Sequence, residues 1–399
     1  MGTKVIGEEI VDKGRYSGSQ VTDLNWVEKA IEHVLMKIDQ NLERLGDQFP
    51  SASTIDSKYL PIKEEEADWT EGFWTGMLWL AYEITGKDKY REVAERQVQS
   101  FKERIKNQFK TNTHDLGFLY SLSCVSAYKL TENEEAKEAA LLAADLLINR
   151  YLPKAGIIQA WGDLNNPEEK GRMIIDCNLN LPLLYWASEV TGDQKYFEVA
   201  SNHIKQAAQY IVREDTSTFH TFYMDVESGK PIQGKTHQGY SDDSCWSRGQ
   251  AWGIYGFTLN YVYTKDIHLL ELSKKLTNYF LNRLPEDHVC YWDLLFTSGN
   301  EQERDSSAAA IAVCGLLEMT KYLPLTDQDQ IYYRNAALMI LKSLSENYTA
   351  TEVTEEHGVL LHAVYNKPKG NGIDESCLWG DYYYLEALVR LKKVWNMYW

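Results

Sequence analysis

Thr85–Ala94 reads TGKDKYREVA, and Thr191–Ala200 reads TGDQKYFEVA. In each copy a glycine follows the end of an apolar helical stripe. An aspartate comes one or two residues later, and a tyrosine opens the next stripe. Glycine just past a helix end supplies a left-handed C-cap, and a tight turn then returns the chain as an antiparallel partner helix. The offset from Thr85 to Thr191 is 106 residues. It spans two helix pairs, so each pair occupies about 53 residues, and repetition of one helix–turn–helix unit predicts a closed or stacked helical array.

Outward from these copies, i, i+3, i+4, i+7 apolar spacing predicts twelve helices, at 24–45, 72–85, 88–109, 115–130, 133–152, 176–190, 193–213, 247–263, 266–284, 305–322, 327–348 and 378–397. Six pairs suffice to close a ring. The expected fold is all-α, an (α/α)6 barrel of six inner and six outer helices, in preference to an open solenoid. Segments 72–85, 115–130, 176–190, 247–263, 305–322 and 378–397 are rich in Gly, Trp, Tyr and small residues and belong inside. Their partners carry a charged face and belong outside. The loops before the inner helices then gather at one mouth: Asp68–Trp74, His114–Asp115, Ala160–Asp176, His220–Arg248 and Asn366–Asp381. Short strands are expected at Thr218–Asp225 and Gly156–Trp161. No Pro-, Gly- or Ser-rich linker divides the chain, so residues 1–23 read as an irregular N-terminal arm and 24–399 as a single domain. Glu64–Glu66 reads as a solvated loop.

The 399 residues are 44% hydrophobic and 25% charged, an ordinary globular balance. With 41 Lys+Arg against 58 Asp+Glu, the net charge is −17, which argues against nonspecific nucleic-acid or anionic-membrane binding. The six cysteines form no C-x-x-C pair and read as small buried hydrophobes. The opening Met1-Gly-Thr-Lys-Val-Ile lacks a signal-peptide core, and no apolar run reaches membrane-spanning length; the expected location is the cytoplasm. The chain holds 12 Trp and 26 Tyr beside only 11 Phe. Aromatics with a polar edge suit stacking on sugars, and they also suit a Tyr-rich helical core.

Two carboxylates open inner helices in apolar surroundings. Asp176 lies in GRMIIDCNLNLP and Asp115 in THDLGFLY. Burial disfavours the charged form and would make either a general acid near neutral pH, whereas service as a helix N-cap would lower its pKa. Asp305 and Asp381 hold similar positions and read as structural. His114, His220, His237, His357 and His362 form no H-x-x-x-H and no His/Cys cluster, so no metal is expected. His220 reads equally as a satisfied buried histidine or a substrate hydrogen-bonder. In Gly234–Trp252, Arg248 opens an inner helix. It is placed to grip a carboxylate, either the substrate's or one of the chain's own. Trp74, Trp161, Trp252 and Trp379 each adjoin a mouth loop. Nucleotide-binding glycine motifs and Ser-His-Asp patterns are absent from the sequence.

Nine stretches in order resemble the unsaturated glucuronyl hydrolases of glycoside hydrolase family 88: DWTEGFWTGMLWL (68–80), HDLGFLYS (114–121), IQAWG (158–162), RMIIDCNLNL (172–181), HTFY (220–223), THQG (236–239), WSRGQAWGIYG (246–256), RDSSA (304–308) and WGDYYYLEA (379–387). The resemblance runs from about Asn25 to Tyr398. It implies an (α/α)6 barrel without metal or organic cofactor. The implied substrates are unsaturated glycosaminoglycan disaccharides and short oligosaccharides, left by lyases acting on chondroitin or hyaluronan. It implies Asp176 as general acid/base and Asp115 as the second essential carboxylate. Trp74, Trp161, His220, Gly234, Thr236, His237, Gln238, Arg248 and Trp252 are implied to contact substrate. Members favouring sulfated substrates carry Arg at the position of His237 and a Ser-x-x-Ser-x-Lys cluster where this chain has Asn366, Lys369 and Asn371. Unsulfated disaccharides are therefore expected to be cleaved at least comparably to 6-sulfated ones. The rivals are an unsaturated rhamnogalacturonyl hydrolase acting on pectin fragments, a sugar epimerase using histidine acid/base pairs, and a non-catalytic glycan-binding barrel.

Overall fold

The computed structural model describes residues 5–18, 23–63, 67–166, 169–299, 301–350 and 355–399; Glu64–Glu66 and Met1–Lys4 lie outside them. Within the expected arm, Lys13–Ser17 forms a short helix, α1, capped by the Asp12 side chain. The arm lies against the barrel: Asn278 and Asn282 donate side-chain amides to the carbonyls of Glu8 and Glu9.

Among the described residues, six inner and six outer helices form the barrel. The inner ones are α3 (Glu71–Thr85), α5 and α6 (Leu116–Tyr120 and Ser126–Thr131, joined by a π turn at Ser121–Val125), α8 (Pro182–Thr191), α10 (Ser247–Thr264), α12 (Ser306–Met319) and α14 (Leu378–Lys392). The outer ones are α2 (Asn25–Leu45), α4 (Asp88–Lys106), α7 (Glu134–Ile148), α9 (Gln194–Tyr210), α11 (Ile267–Leu281) and α13 (Asp329–Asn347). Inner helices pack in chain order, and α14 returns to α3, closing the ring; α2 covers α14 from outside. Burial separates the two layers. Every residue of α12 is buried. Helix α4 buries only Tyr90, Ala94, Gln97, Val98, Phe101 and Ile105, one face at helical spacing.

The repeat that announces the ring is more regular than the sequence suggests. Inner helices end at Thr85, Thr131, Thr191 and Thr264, and each threonine hydroxyl donates to the carbonyl four residues earlier. The next residue is left-handed in all four cases: Gly86, Glu132, Gly192 and Lys265. Only two of the four carry the glycine that makes the turn visible in sequence. At the other two the same conformation is imposed on residues with a Cβ.

The aromatic excess builds a column through the barrel. The Phe118 ring touches those of Trp69, Phe73, Trp252 and Trp399, and Tyr383 stacks on Trp399 with rings 4° from parallel. Trp74 and Trp252 belong to this buried interior.

Short strands shape the mouth. β1 (Tyr151–Leu152) pairs with β2 (Ile157–Ile158), and β6 (Ala363–Asn366) pairs with β7 (Asn371–Glu375). β3 (Arg172–Ile174), β4 (Thr221–Met224) and β5 (Pro231–Lys235) form an antiparallel sheet. The expected strands at 156–161 and 218–225 are present, shortened to β2 and β4. β1 and β3 are too short to show alternation, and β5 (PIQGK) and β7 (NGIDE) carry Pro, Gly and polar residues in its place.

Candidate active site

The three-stranded sheet aligns three separate pieces of chain. Ile174 pairs with Thr221, and Thr221 pairs with Lys235. Asp176, His220 and His237 each lie within two residues of that row, so the sheet delivers them side by side. The chain then turns through a 3-10 segment, Ile175–Leu179, before Pro182 starts α8 at a position that suits its fixed φ. Asp176 thus sits in the turn and not at the N-cap expected for a helix over 176–190.

Asp115 precedes α5 without capping it: its carboxylate takes no hydrogen bond from the helix backbone, and Thr113 Oγ1 donates to its Oδ2 at 2.6 Å. Asn180 joins the two turns. Its Oδ1 accepts the Phe118 N–H at 2.7 Å, and its Nδ2 donates to the Asp176 carbonyl at 3.3 Å. Gly117 makes this approach possible, since a Cβ there would overlap the Asn180 backbone.

His114 lies between the two carboxylates. Its Nε2 is 3.3 Å from Asp115 Oδ1 and 3.4 Å from Asp176 Oδ1, and the three atoms all lie within 4.8 Å of one another. Burial lowers the His114 pKa to about 3, with help from the Arg150 charge, so the ring is neutral. Burial raises the Asp115 pKa to about 6, opposed by the Thr113 hydrogen bond and Arg150. Burial, then the neighbouring Asp115 charge, raises Asp176 well above the ordinary carboxylate range. Neutral His114 adds no cation of its own, and the Arg150 and Arg248 charges only partly offset burial and repulsion, so the pair retains a proton at neutral pH.

Asp115 and Asp176 open into a cavity of about 620 Å³, a volume suited to a small sugar. Its walls include Asp68, Trp69, Trp161, His220, His237, Gln238, Tyr365, Asn366 and Lys369, so all five mouth loops converge. Of the residues singled out from sequence, Asp115, Asp176, Trp161, His220, His237 and Gln238 line it. Trp161 is 37% exposed and carries the Arg172 guanidinium 3.9 Å from its ring centre. Arg150 holds the Trp161 loop through the carbonyls of Gln159, Ala160 and Gly162. His220 Nδ1 accepts the His237 backbone N–H at 2.9 Å. Burial keeps His220 neutral, so its proton resides on Nε2, a donor for a ligand.

The remaining five stand behind the wall. Arg248 is 1% exposed. It ion-pairs with Asp305 at 3.1 Å and donates to the carbonyls of Val364 and Tyr365 and to Gln238 Oε1, which leaves no fork for a substrate carboxylate. Its contribution is to fix the Gln238 amide with the NH2 group unclaimed. Thr236 braces the loop through bonds with Asp242 and Gly239. Gly234 gives way to the Phe219 ring, which a Cβ there would strike. Trp74 and Trp252 pack in the interior, and the indole that the loop before α3 adds to the wall beside Trp161 is Trp69, whose Nε1 donates to Tyr365 Oη at 2.9 Å. Trp69 precedes α3 in the mouth loop, whereas Trp74 lies inside the helix. That distinction is available from helical periodicity. His114 adjoins Asp115 in the same quoted stretch, but adjacency alone does not show that its ring faces both acids. Asp305 caps α12, and Asp381 accepts from Tyr59, Val359 and Leu360, as structural acids do.

The chain matches Glycosyl Hydrolase Family 88 over residues 38–394. It belongs to this family. It is 49% identical over 396 residues to the unsaturated chondroitin disaccharide hydrolase of Streptococcus pneumoniae, covering 99% of both chains. The crystal structure of unsaturated glucuronyl hydrolase from Streptococcus agalactiae superposes with a TM-score of 0.97 at 48% identity, covering 100% of each chain. A mutant of the S. agalactiae enzyme, solved in complex with dGlcA-GalNAc6S, gives 0.89 at 45% identity, again over 100% of both chains. The family 88 member described here is thus a glycoside hydrolase with the helical-barrel fold that its repeats predict. Among its described residues no helix is long and apolar enough to cross a membrane.

Proposed function

We propose that this family 88 hydrolase releases the 4,5-unsaturated uronic acid from the nonreducing end of chondroitin- or hyaluronan-type disaccharides by hydrating its vinyl ether. The observation that carries the mechanism is the proton-retaining pair of buried Asp115 and half-buried Asp176 on the cavity wall, with neutral His114 between them. Ordinary glycosidases place two carboxylates on opposite sides of a glycosidic bond. Here both carboxylates meet at one point, which suits proton delivery to a carbon.

Asp176, protonated, gives its proton to C4 of the C4=C5 bond. The ring oxygen stabilises the positive charge that develops at C5. Water adds to C5, and the Asp176 carboxylate accepts its proton, restoring the acid. The hemiketal opens, leaving a ketone at C5 and a hemiacetal at C1, which collapses to an aldehyde and expels the remaining sugar. Asp115 orients the ring through its hydroxyls and stabilises the cationic stage. Trp69 and Trp161 offer aromatic faces, while His220 Nε2–H and the Gln238 amide are donors.

Residues 24–399 would serve as one catalytic unit. Six buried cysteines without disulfides fit a reducing compartment such as the cytoplasm. The test is loss of the ultraviolet absorbance of the conjugated double bond on incubation with unsaturated chondroitin, hyaluronan and rhamnogalacturonan disaccharides. Asp176→Asn should abolish this loss while disaccharide binding persists. Undiminished turnover in that variant would remove the mechanism.

A further inference from the structure

The same three side chains have an arrangement that proton transfer does not require. We propose that His114, Asp115 and Asp176 form a binding site for one tetrahedral divalent transition-metal ion, with zinc the best fit, and that its occupation blocks turnover.

The distances carry this. Zinc holds imidazole nitrogen and carboxylate oxygen at about 2.0–2.1 Å, so neighbouring ligand atoms in a tetrahedron stand about 3.3–3.4 Å apart. His114 Nε2 stands 3.3 Å from Asp115 Oδ1 and 3.4 Å from Asp176 Oδ1. An ion can therefore enter with little movement of the two edges that meet at the histidine, while the edge between the two carboxylates, within 4.8 Å, closes toward the same value. The atoms are also uncommitted. His114 is wholly buried, and neither of its ring nitrogens has a hydrogen-bond partner; Asp176 Oδ1 also has none. Buried polar atoms without partners are rare in folded proteins, and here two of them converge on one point. The Thr113 hydroxyl holds Asp115 Oδ2 and leaves Oδ1 to the cluster, the kind of outer-shell support that orients metal ligands.

The fourth position opens to the cavity, where water or a sugar hydroxyl can complete the tetrahedron. Two carboxylates and one neutral imidazole suit zinc or cobalt. Magnesium and calcium favour all-oxygen shells, so a cluster centred on an imidazole nitrogen suits them poorly. The site escapes sequence motifs because two ligands are adjacent and the third arrives from the next inner-helix turn. Binding is a ligand exchange without redox change: the ion takes the place of the proton held by the carboxylates. The site stands on this geometry alone. The block on turnover rests on the proposed function, since an acid that ligates a metal has no proton to give.

The experiment uses the full chain after chelator treatment. Co²⁺ should bind once per chain with the intense visible bands of tetrahedral coordination, and Zn²⁺ should displace it. Zn²⁺ should inhibit cleavage of unsaturated chondroitin disaccharide competitively, reversibly with EDTA, while Mg²⁺ and Ca²⁺ have no effect. His114→Gln and Asp176→Asn should each weaken Zn²⁺ binding by at least about 100-fold, as loss of a direct ligand exceeds loss of an outer-shell partner. X-ray absorption of the Zn²⁺-loaded wild type should show nitrogen and oxygen donors without sulfur, a readout independent of any variant. Sulfur donors, unchanged affinity in both variants, or equal inhibition by Mg²⁺ would overturn the site. Metal binding as described in a chain that cleaves no unsaturated disaccharide would uphold the site and overturn the proposed function. Cleavage untouched by bound Zn²⁺ would overturn the block.

Discussion

Asn180 and Phe118 are joined by a hydrogen bond of 2.7 Å from the Phe118 N–H to Asn180 Oδ1. The same side chain donates to the Asp176 carbonyl. One asparagine therefore sets the spacing between the turn that ends at Asp115 and the turn that holds Asp176. Asn180→Ala leaves a buried N–H unpaired and should lower stability by about 1–3 kcal/mol. Gly117→Ala, which drives a methyl into the Asn180 backbone, should cost a similar amount, about 1–3 kcal/mol. Both should reduce kcat, measured well below the melting temperature, with little change in KM. Wild-type kcat in a less stable variant would mean that the spacing tolerates movement.

The charge of Asp115 is the second cause, after burial, of the raised Asp176 pKa. The protonated acid is the active form, so kcat/KM should fall as pH rises through the upper ionisation of the pair. Replacing Asp115 with asparagine removes the negative neighbour and makes Asp176 easier to ionise. The alkaline limb of the residual activity in Asp115→Asn should therefore move to lower pH, by about a unit or more. A limb that stays in place or moves upward would show that the titrating group is not Asp176.

Arg248 and Gln238 make one bonded pair with divided roles. Arg248→Ala leaves Asp305 buried without its cation, and should destabilise the protein by about 3–5 kcal/mol. Gln238→Ala removes a cavity-facing amide and should raise KM with little change in melting temperature. Thermal melts and steady-state kinetics on the two variants separate these roles. A Gln238 variant that melts early with an unchanged KM would contradict them.

Which parts of this molecule are readable in sequence follows from how local their causes are. Helix periodicity and the turns at Gly86 and Gly192 depend on neighbours within a few residues, and they suffice to set the ring. The equivalent turns use Glu132 and Lys265 in the same left-handed conformation, so no glycine marks them. Asp115 and Asp176 stand out because charge in an apolar run is locally anomalous. Arg248 shows the limit. Whether a guanidinium meets a ligand or Asp305 depends on a contact 57 residues away. Trp69 and Trp74 share one stretch of sequence, and only the onset of α3 at Glu71 divides the cavity wall from the core. His114 needed the third dimension altogether, because its second acid arrives from another inner helix.

On the mouth hairpin, Lys367 is engaged by Glu303, and Lys369 is the lysine of that turn that reaches the cavity wall. Lys369 is solvent-exposed, so its attraction for a sulfate is screened and worth about 0–1 kcal/mol. That corresponds to no more than about fivefold in KM. The same cavity is lined by His237, whose pKa is lowered by burial, by Arg172 and by Lys369, so it is neutral near pH 7 and adds no second cation. Unsulfated chondroitin disaccharide should therefore be turned over at least comparably to its 6-sulfated form. Lys369→Ser should erase whatever small preference for sulfate exists, leaving kcat on the unsulfated substrate in place. Paired kinetics that show a preference above tenfold for the 6-sulfated substrate would require a sulfate-binding group other than this lysine.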